Sequence, residues 1–136
     1  MRGISIGFVM PSPRISVLAL LLAGVIAAVP AAAQSVRILV QNSPLAGFQF
    51  HDGKQLWQEM KVGDTLDLAR EADNPHDANA VRVHWRGRML GYLPRAENRA
   101  VAAEMDRGTR VEARVSHLRE HRNPWKRIGI DILIVP

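Results

Sequence analysis

Residues 73–83 read DNPHDANAVRV. Asp73, Asn74, Pro75, His76, Asp77 and Asn79 gather hydrogen-bonding side chains around a proline, and Ala80–Val83 begins a strand-like alternation. Two readings fit the loop. Asp73 or Asn74 can form an Asx-turn, Pro75 fixes φ, and Asp77 or Asn79 can cap free N–H groups before the strand. The same side chains can also line a pocket for a ligand with a hydroxyl and a flat ring. Just downstream, Val81, Val83 and Trp85 share one face, and Arg82, His84 and Arg86 share the other. That period of two marks a half-buried strand with a basic outer face.

The flanking chain is punctuated in the same way. Val36–Val40 is β-branched and apolar, a first strand ended by Asn42-Ser43-Pro44. Leu45–Phe50 reads as a short extended piece with a bend at Gly47, and Lys54–Met60 as one or two helical turns. Thr65–Arg70 alternates Leu66 and Leu68 against Asp67 and Arg70, a strand. Arg86-Gly87-Arg88 is a hairpin turn, and Met89–Leu93 returns. Pro94 suits the first turn of a helix over 95–106, with Gly108 as its C′ glycine. Val111, Ala113, Val115 and His117 share the face of another strand. Residues 119–127 (REHRNPWKR) form a basic loop, and Ile128, Ile130, Ile132 and Ile134 alternate to the end. The expected fold is mainly β: a small closed β-barrel of about six strands with one or two flanking helices.

The N-terminus belongs to a different class of sequence. VLALLLAGVIAAV (17–29) is apolar throughout, Arg2 and Arg14 precede it, and Pro30-Ala31-Ala32-Ala33 follow. This is the layout of a secretory signal peptide, residues 1–33, with Met10 an alternative start. The apolar core falls short of the roughly 20 residues of a membrane span. Residues 34–136 are then a single exported domain, periplasmic or secreted, expected to be a monomer with no membrane span after cleavage. The chain has no cysteine, which excludes disulfides, thiolate metal sites and thiol nucleophiles.

Charge is unevenly spread. Residues 34–81 carry four basic and seven acidic side chains, whereas residues 82–127 carry twelve basic and five acidic. Eleven of those twelve are arginines, whose planar fork fits phosphate or carboxylate. Such a half can meet a polyanion.

Catalytic patterns are missing. His51-Asp52 and His76-Asp77 are neighbours on an extended chain and point opposite ways, so neither dipeptide is a dyad by itself. No nucleophile elbow or P-loop appears. His117 and His121 are spaced for zinc on a helix, but they sit at a strand end and in a loop, where solvated or turn-forming roles fit better. No metal, no cofactor and no enzymatic activity are expected. Of the aromatics, Phe48, Trp57 and Trp85 read as core, while Phe50, Tyr92 and Trp125 are open to stacking roles.

The run LAREADNPHDANAVRV (68–83) followed by GRMLGYLPR (87–95) strongly resembles the HIRAN domain, as does AGFQF (46–50). The resemblance extends from about Val36 to Ile134, nearly the whole of the mature chain. It implies a modified OB-like β-barrel with flanking helices. In a helicase-linked member of that family the domain binds the 3′ end of single-stranded DNA. Carried onto this chain, the resemblance puts the 3′-hydroxyl contact at Asp77 and the base-stacking rings at Phe50 and His76. It puts the backbone contacts at Gln49 and Arg95, with Tyr92 lining the pocket and Asn74 in the same loop. Two positions depart from the family: Gln49 stands where a basic residue is found, and His76 where the DNA-binding member has tyrosine.

The expected function is therefore a non-catalytic nucleic-acid-binding module, for single-stranded DNA and in its finest form the 3′ end. One alternative is an exported barrel whose Arg-rich half binds a protein or cell-envelope polyanion. A weaker one is a hydrolase. Partners beyond a single-stranded nucleic acid, whether envelope or DNA-processing proteins, are not specified by the sequence.

Overall fold

The computed structural model describes residues 3–5, 7–12 and 32–136. The expected signal segment falls largely on 13–31 and lies outside the described residues. Residues 33–136 form one compact unit. No helix among the described residues is long and apolar enough to cross a membrane.

Six strands build one antiparallel sheet: β1 (Ile38–Pro44), β2 (Thr65–Arg70), β3 (Val81–Trp85), β4 (Arg88–Tyr92), β5 (Arg110–Leu118) and β6 (Ile128–Val135). Their order is β1-β6-β5-β2-β3-β4. Two helices, α1 (Gly53–Leu56) and α2 (Arg99–Asp106), and two 3₁₀ turns (Phe48–Phe50 and Pro124–Lys126) fill the connections. β2 is shared along its length: Thr65 and Leu66 pair with β5, and Asp67–Arg70 pair with β3. The sheet turns where one strand passes from one neighbour to the other.

The mainly β expectation holds, but strand pairing does not close the sheet into a barrel. β1 and β4 are its two edges, and they meet at a single point. Ala46, just past β1, exchanges two backbone hydrogen bonds with Tyr92 on β4, each 2.9 Å. The approach depends on Gly91, because a Cβ there would lie 2.1 Å from the Ala46 carbonyl oxygen.

The alternations of β3 and β6 build the core. Val81, Val83 and Trp85 face inward against Ile128, Ile130 and Ile132, with Leu90, Ala113 and Val115 between them. Trp85 is 2 % exposed and still finds a partner, its Nε1–H donating to Asp64 at 3.1 Å. Phe48 is buried and meets half-buried Trp57 edge-on, with centroids 5.8 Å apart. Of the three aromatics read as core, Phe48 and Trp85 lie in it and Trp57 packs against it.

Four local expectations change. The first strand runs on to Pro44, and its Ile38, Leu39 and Val40 are about half exposed because β1 is an edge. Leu45–Phe50 ends in a 3₁₀ turn after left-handed Gly47 and is not an extended piece. In β5 the register slips between Val115 and His117, so His117 turns out to solvent and Leu118 packs on the core. The helix starts at Arg99, not at Pro94. Residues 95–97 form a turn in which the Glu97 N–H donates to the Pro94 carbonyl at 2.9 Å. At its other end Gly108 takes φ +82° as the expected C′ glycine, and the Thr109 N–H donates to the Glu104 carbonyl.

Gly91→Ala should drive a methyl group into the Ala46 carbonyl and separate the sheet edges. The expected destabilisation is about 1–3 kcal/mol, read as a fall in Tm of at least about 5 °C. An unchanged Tm would mean the edges do not depend on that close approach.

Candidate nucleic-acid interface

The loop 71–80 is held from below by two neighbouring side chains. Arg70 donates to the Ala80 carbonyl at 2.7 Å and the Ala78 carbonyl at 2.9 Å, while its Nε pairs with Asp106 of α2. Glu71 gathers three donors: Arg82 and the Tyr92 hydroxyl on one oxygen, and the Asn74 amide on the other at 3.0 Å. Asn74 in turn makes the Asx-turn that the sequence offered. Its Oδ1 accepts from the His76 N–H at 2.8 Å and the Asp77 N–H at 3.1 Å.

Asp77 also has the capping role. Its Oδ1 accepts from the Asn79 N–H at 3.0 Å, and its Oδ2 from the Asn98 amide at 2.7 Å. One bond per oxygen leaves acceptor capacity on both. The turn-forming and pocket-lining readings of this loop coincide, since the same residue does both.

Where the sheet edges meet, an open cleft of about 450 Å³ is lined by Asn74, His76, Asp77, Tyr92, Arg95 and Trp125, over a floor of Ala46, Ala80 and Leu93. Five of the seven residues singled out by the resemblance come together here. Gln49 and Phe50 do not line the cleft. They project from the neighbouring 3₁₀ turn, and the Phe50 ring is 78 % exposed. Arg95 lies in the turn before α2, so the helix N-terminus does not back it as its expected place inside the helix start implied.

Trp125, which the sequence left open to a stacking role and the resemblance did not assign to the site, also lines the cleft. It is 45 % exposed and sits on a braced loop. Asn123 accepts from the Trp125 N–H at 3.0 Å, His121 Nδ1 accepts from the Asn123 N–H, and Arg127 donates to the His121 carbonyl. His121 is thus a turn-former. The signal was present as Asn-Pro-Trp, a capped turn that presents an aromatic, but sequence could not say that this loop lies across from residues 74–77.

The electrostatics follow from these contacts. The Arg82 guanidinium, more than any other neighbour, holds the Glu71 carboxyl below its usual range. Burial, and then the Glu71 carboxylate, push the Tyr92 phenol above its ordinary 10.0. Of the eleven arginines in 82–127, Arg82, Arg88, Arg107, Arg110 and Arg114 pair with carboxylates. Among the described residues Arg95 makes no salt bridge, and the same is true of Arg99, Arg119 and Arg122.

Fold and cleft together define a small antiparallel β-module that presents rings, one carboxylate and one arginine in an open groove. The chain belongs to the HIRAN domain family, whose model matches residues 38–135. Two solved structures share the fold. One is a protein from Lactobacillus plantarum, with TM-score 0.64 and 24% identity, covering 74% of this chain and 96% of that one. The other is the HIRAN domain of human HLTF, with TM-score 0.57 and 20% identity, covering 72% and 78%. A curated relative, the Fanconi-associated nuclease 1 homolog of Oryza sativa subsp. japonica, is 32% identical over 73 residues. That match covers 51% of this chain and 7% of the rice protein.

Tyr92 is the one tyrosine in the chain, so its ionisation can be followed by near-ultraviolet absorbance. A raised phenol pKa means the folded state holds that proton more tightly than the unfolded state. Its midpoint should lie above 10.0, and folding should weaken as pH rises through that interval. Glu71→Gln should move the midpoint down without returning it to 10.0, because burial remains the larger cause. A parent midpoint at the ordinary value would contradict the Tyr92–Glu71 contact.

Proposed function

We propose that the cleft binds the 3′ terminus of a single-stranded nucleic acid, most simply DNA, without catalysing a reaction on it. The observation that carries this reading is the convergence of Asp77, His76, Tyr92, Trp125 and Arg95 on one groove, in a chain of the HIRAN family. An ionised Asp77 accepts hydrogen bonds and cannot donate them. It would take a terminal 3′-hydroxyl and repel a phosphate in the same place. Trp125 offers the larger ring where His76 offers a small one, and a stacked base is worth about 1–3 kcal/mol. Arg95 would meet a backbone phosphate through its planar fork. Phe50, exposed on the adjacent turn, extends the stacking surface beyond the cleft.

Export, read from residues 17–33, is part of the same proposal and would confine the ligand to extracellular or incoming nucleic acid. The rice relative is named a nuclease, which agrees with a nucleic-acid ligand. Activity in processing a strand would belong to a partner protein.

Fluorescence anisotropy on residues 34–136 tests the reading with three oligonucleotides: single-stranded with 3′-OH, the same strand with 3′-phosphate, and duplex. The 3′-OH strand should bind tightest. Asp77→Ala should weaken it about tenfold, the worth of a charge-assisted hydrogen bond, and should tighten the 3′-phosphate strand, since the charge that repels the phosphate is gone. Arg95→Ala should weaken both alike and lower the salt slope by about one. Trp125→Ala should weaken both by about one stacked base. Binding blind to strand and terminus would sink the proposal and favour a general polyanion surface.

A further inference from the structure

Asn98 is 1 % exposed and stands at the N-cap of α2, yet its side chain caps nothing. An N-cap asparagine ordinarily accepts from a free N–H of the first turn. Here the amide nitrogen turns away and donates to Asp77 Oδ2 at 2.7 Å. The amide oxygen is left buried with no hydrogen-bond partner, alone in that respect among the described side chains. The reverse orientation of the amide would set its oxygen against the carboxylate, so the donor must face Asp77. Two costs to the fold coincide at one residue: a forgone helix cap and an orphaned buried acceptor. What the protein has in exchange is a fixed carboxylate in the cleft.

The chemistry of the partner matters. Glu71, Asp52, Asp106, Glu112 and Asp131 are all held by arginines. Asp77 is held by a neutral amide and a backbone N–H. A guanidinium would fix the same oxygens and cancel their charge, after which a phosphate would be tolerated. An amide fixes them and leaves the charge facing the cleft.

We propose that Asn98 is a positioning and specificity-determining residue: it orients the Asp77 carboxylate without neutralising it, so that the cleft accepts a terminal hydroxyl and rejects a terminal phosphate. This rests on the reading of the cleft as a 3′-end site.

Two variants of residues 34–136 test it. Asn98→Ser keeps a good N-cap residue but is too short to reach Asp77 in the same way, and Asn98→Ala removes the donor outright. Each is measured for Tm and for the ratio of affinities for 3′-OH and 3′-phosphate strands. A merely structural asparagine would change Tm and leave the ratio alone. The expected result is a ratio reduced about tenfold in both variants, with Asn98→Ser still folded and no further loss when Asp77→Ala is added. If the parent discriminates and Asp77→Ala abolishes discrimination, but either folded Asn98 variant keeps it, the role of Asn98 is overturned and the cleft reading stands. If the parent does not discriminate, both fall together.

Discussion

Everything near the cleft depends on the two backbone hydrogen bonds between Ala46 and Tyr92. Without them β1 and β4 are ordinary sheet edges, each a row of unpaired amides. With them, the segment after β1 is drawn across the end of β4, and Ala46 becomes the floor of a groove. The pair exists because Gly91 has no Cβ to collide with the Ala46 carbonyl. One small residue thus decides both that the sheet curves back on itself and where its opening lies.

The loop beside that opening is rigid for a reason local to the sequence. Arg70 ends β2 and Glu71 follows it, with their side chains turned to opposite tasks. Arg70 collects carbonyls from the far end of the loop, at Ala78 and Ala80. Glu71 collects donors from its near end and from the strands beyond, at Asn74, Arg82 and Tyr92. Glu71 and its arginine are partly exposed, so their ion pair contributes little to overall stability. Their value is geometric: the Tyr92 ring, Asn74 and the turn that presents Asp77 are fixed relative to one another before any ligand arrives, which lowers the ordering cost of binding.

Much of this was legible in the residues. Strict alternation in 81–85 and 128–132 located the core strands, because a side-chain period of two leaves a half-buried strand no other arrangement. The turn chemistry of Asn74 and the C′ role of Gly108 followed from side-chain reach and from φ. What stayed hidden was non-local. The bulge that turns His117 outward is set by pairing with β6, not by β5 itself. The bond from Asn98, the N-cap of α2, to Asp77 twenty-one positions away is a tertiary contact that helix signals do not contain. Trp125 joins the cleft only because β6 brings its preceding loop beside the 74–80 turn. Family resemblance found Asp77, His76, Tyr92 and Arg95, and it could not find a ring supplied by a different loop.

The charge distribution makes better sense once pairing is counted. The Arg-rich half looked like a continuous polyanion surface, yet five of its arginines are spent on carboxylates within the fold. Arg95, Arg119 and Arg122 retain their full charge toward solvent, two of them on the loop that carries Trp125. Long-range attraction and local selection can then be separate. Residues 34–136 carry sixteen basic and thirteen acidic side chains, a net charge of +3 concentrated in 82–127, which favours the approach of a polyanion. Asp77 would, on the proposed reading, act at contact distance and oppose it, because a carboxylate facing the cleft is unfavourable to phosphate at that one spot. On the proposed reading this opposition is the source of end recognition: the strand is attracted everywhere along its backbone and admitted to the cleft only where the backbone stops.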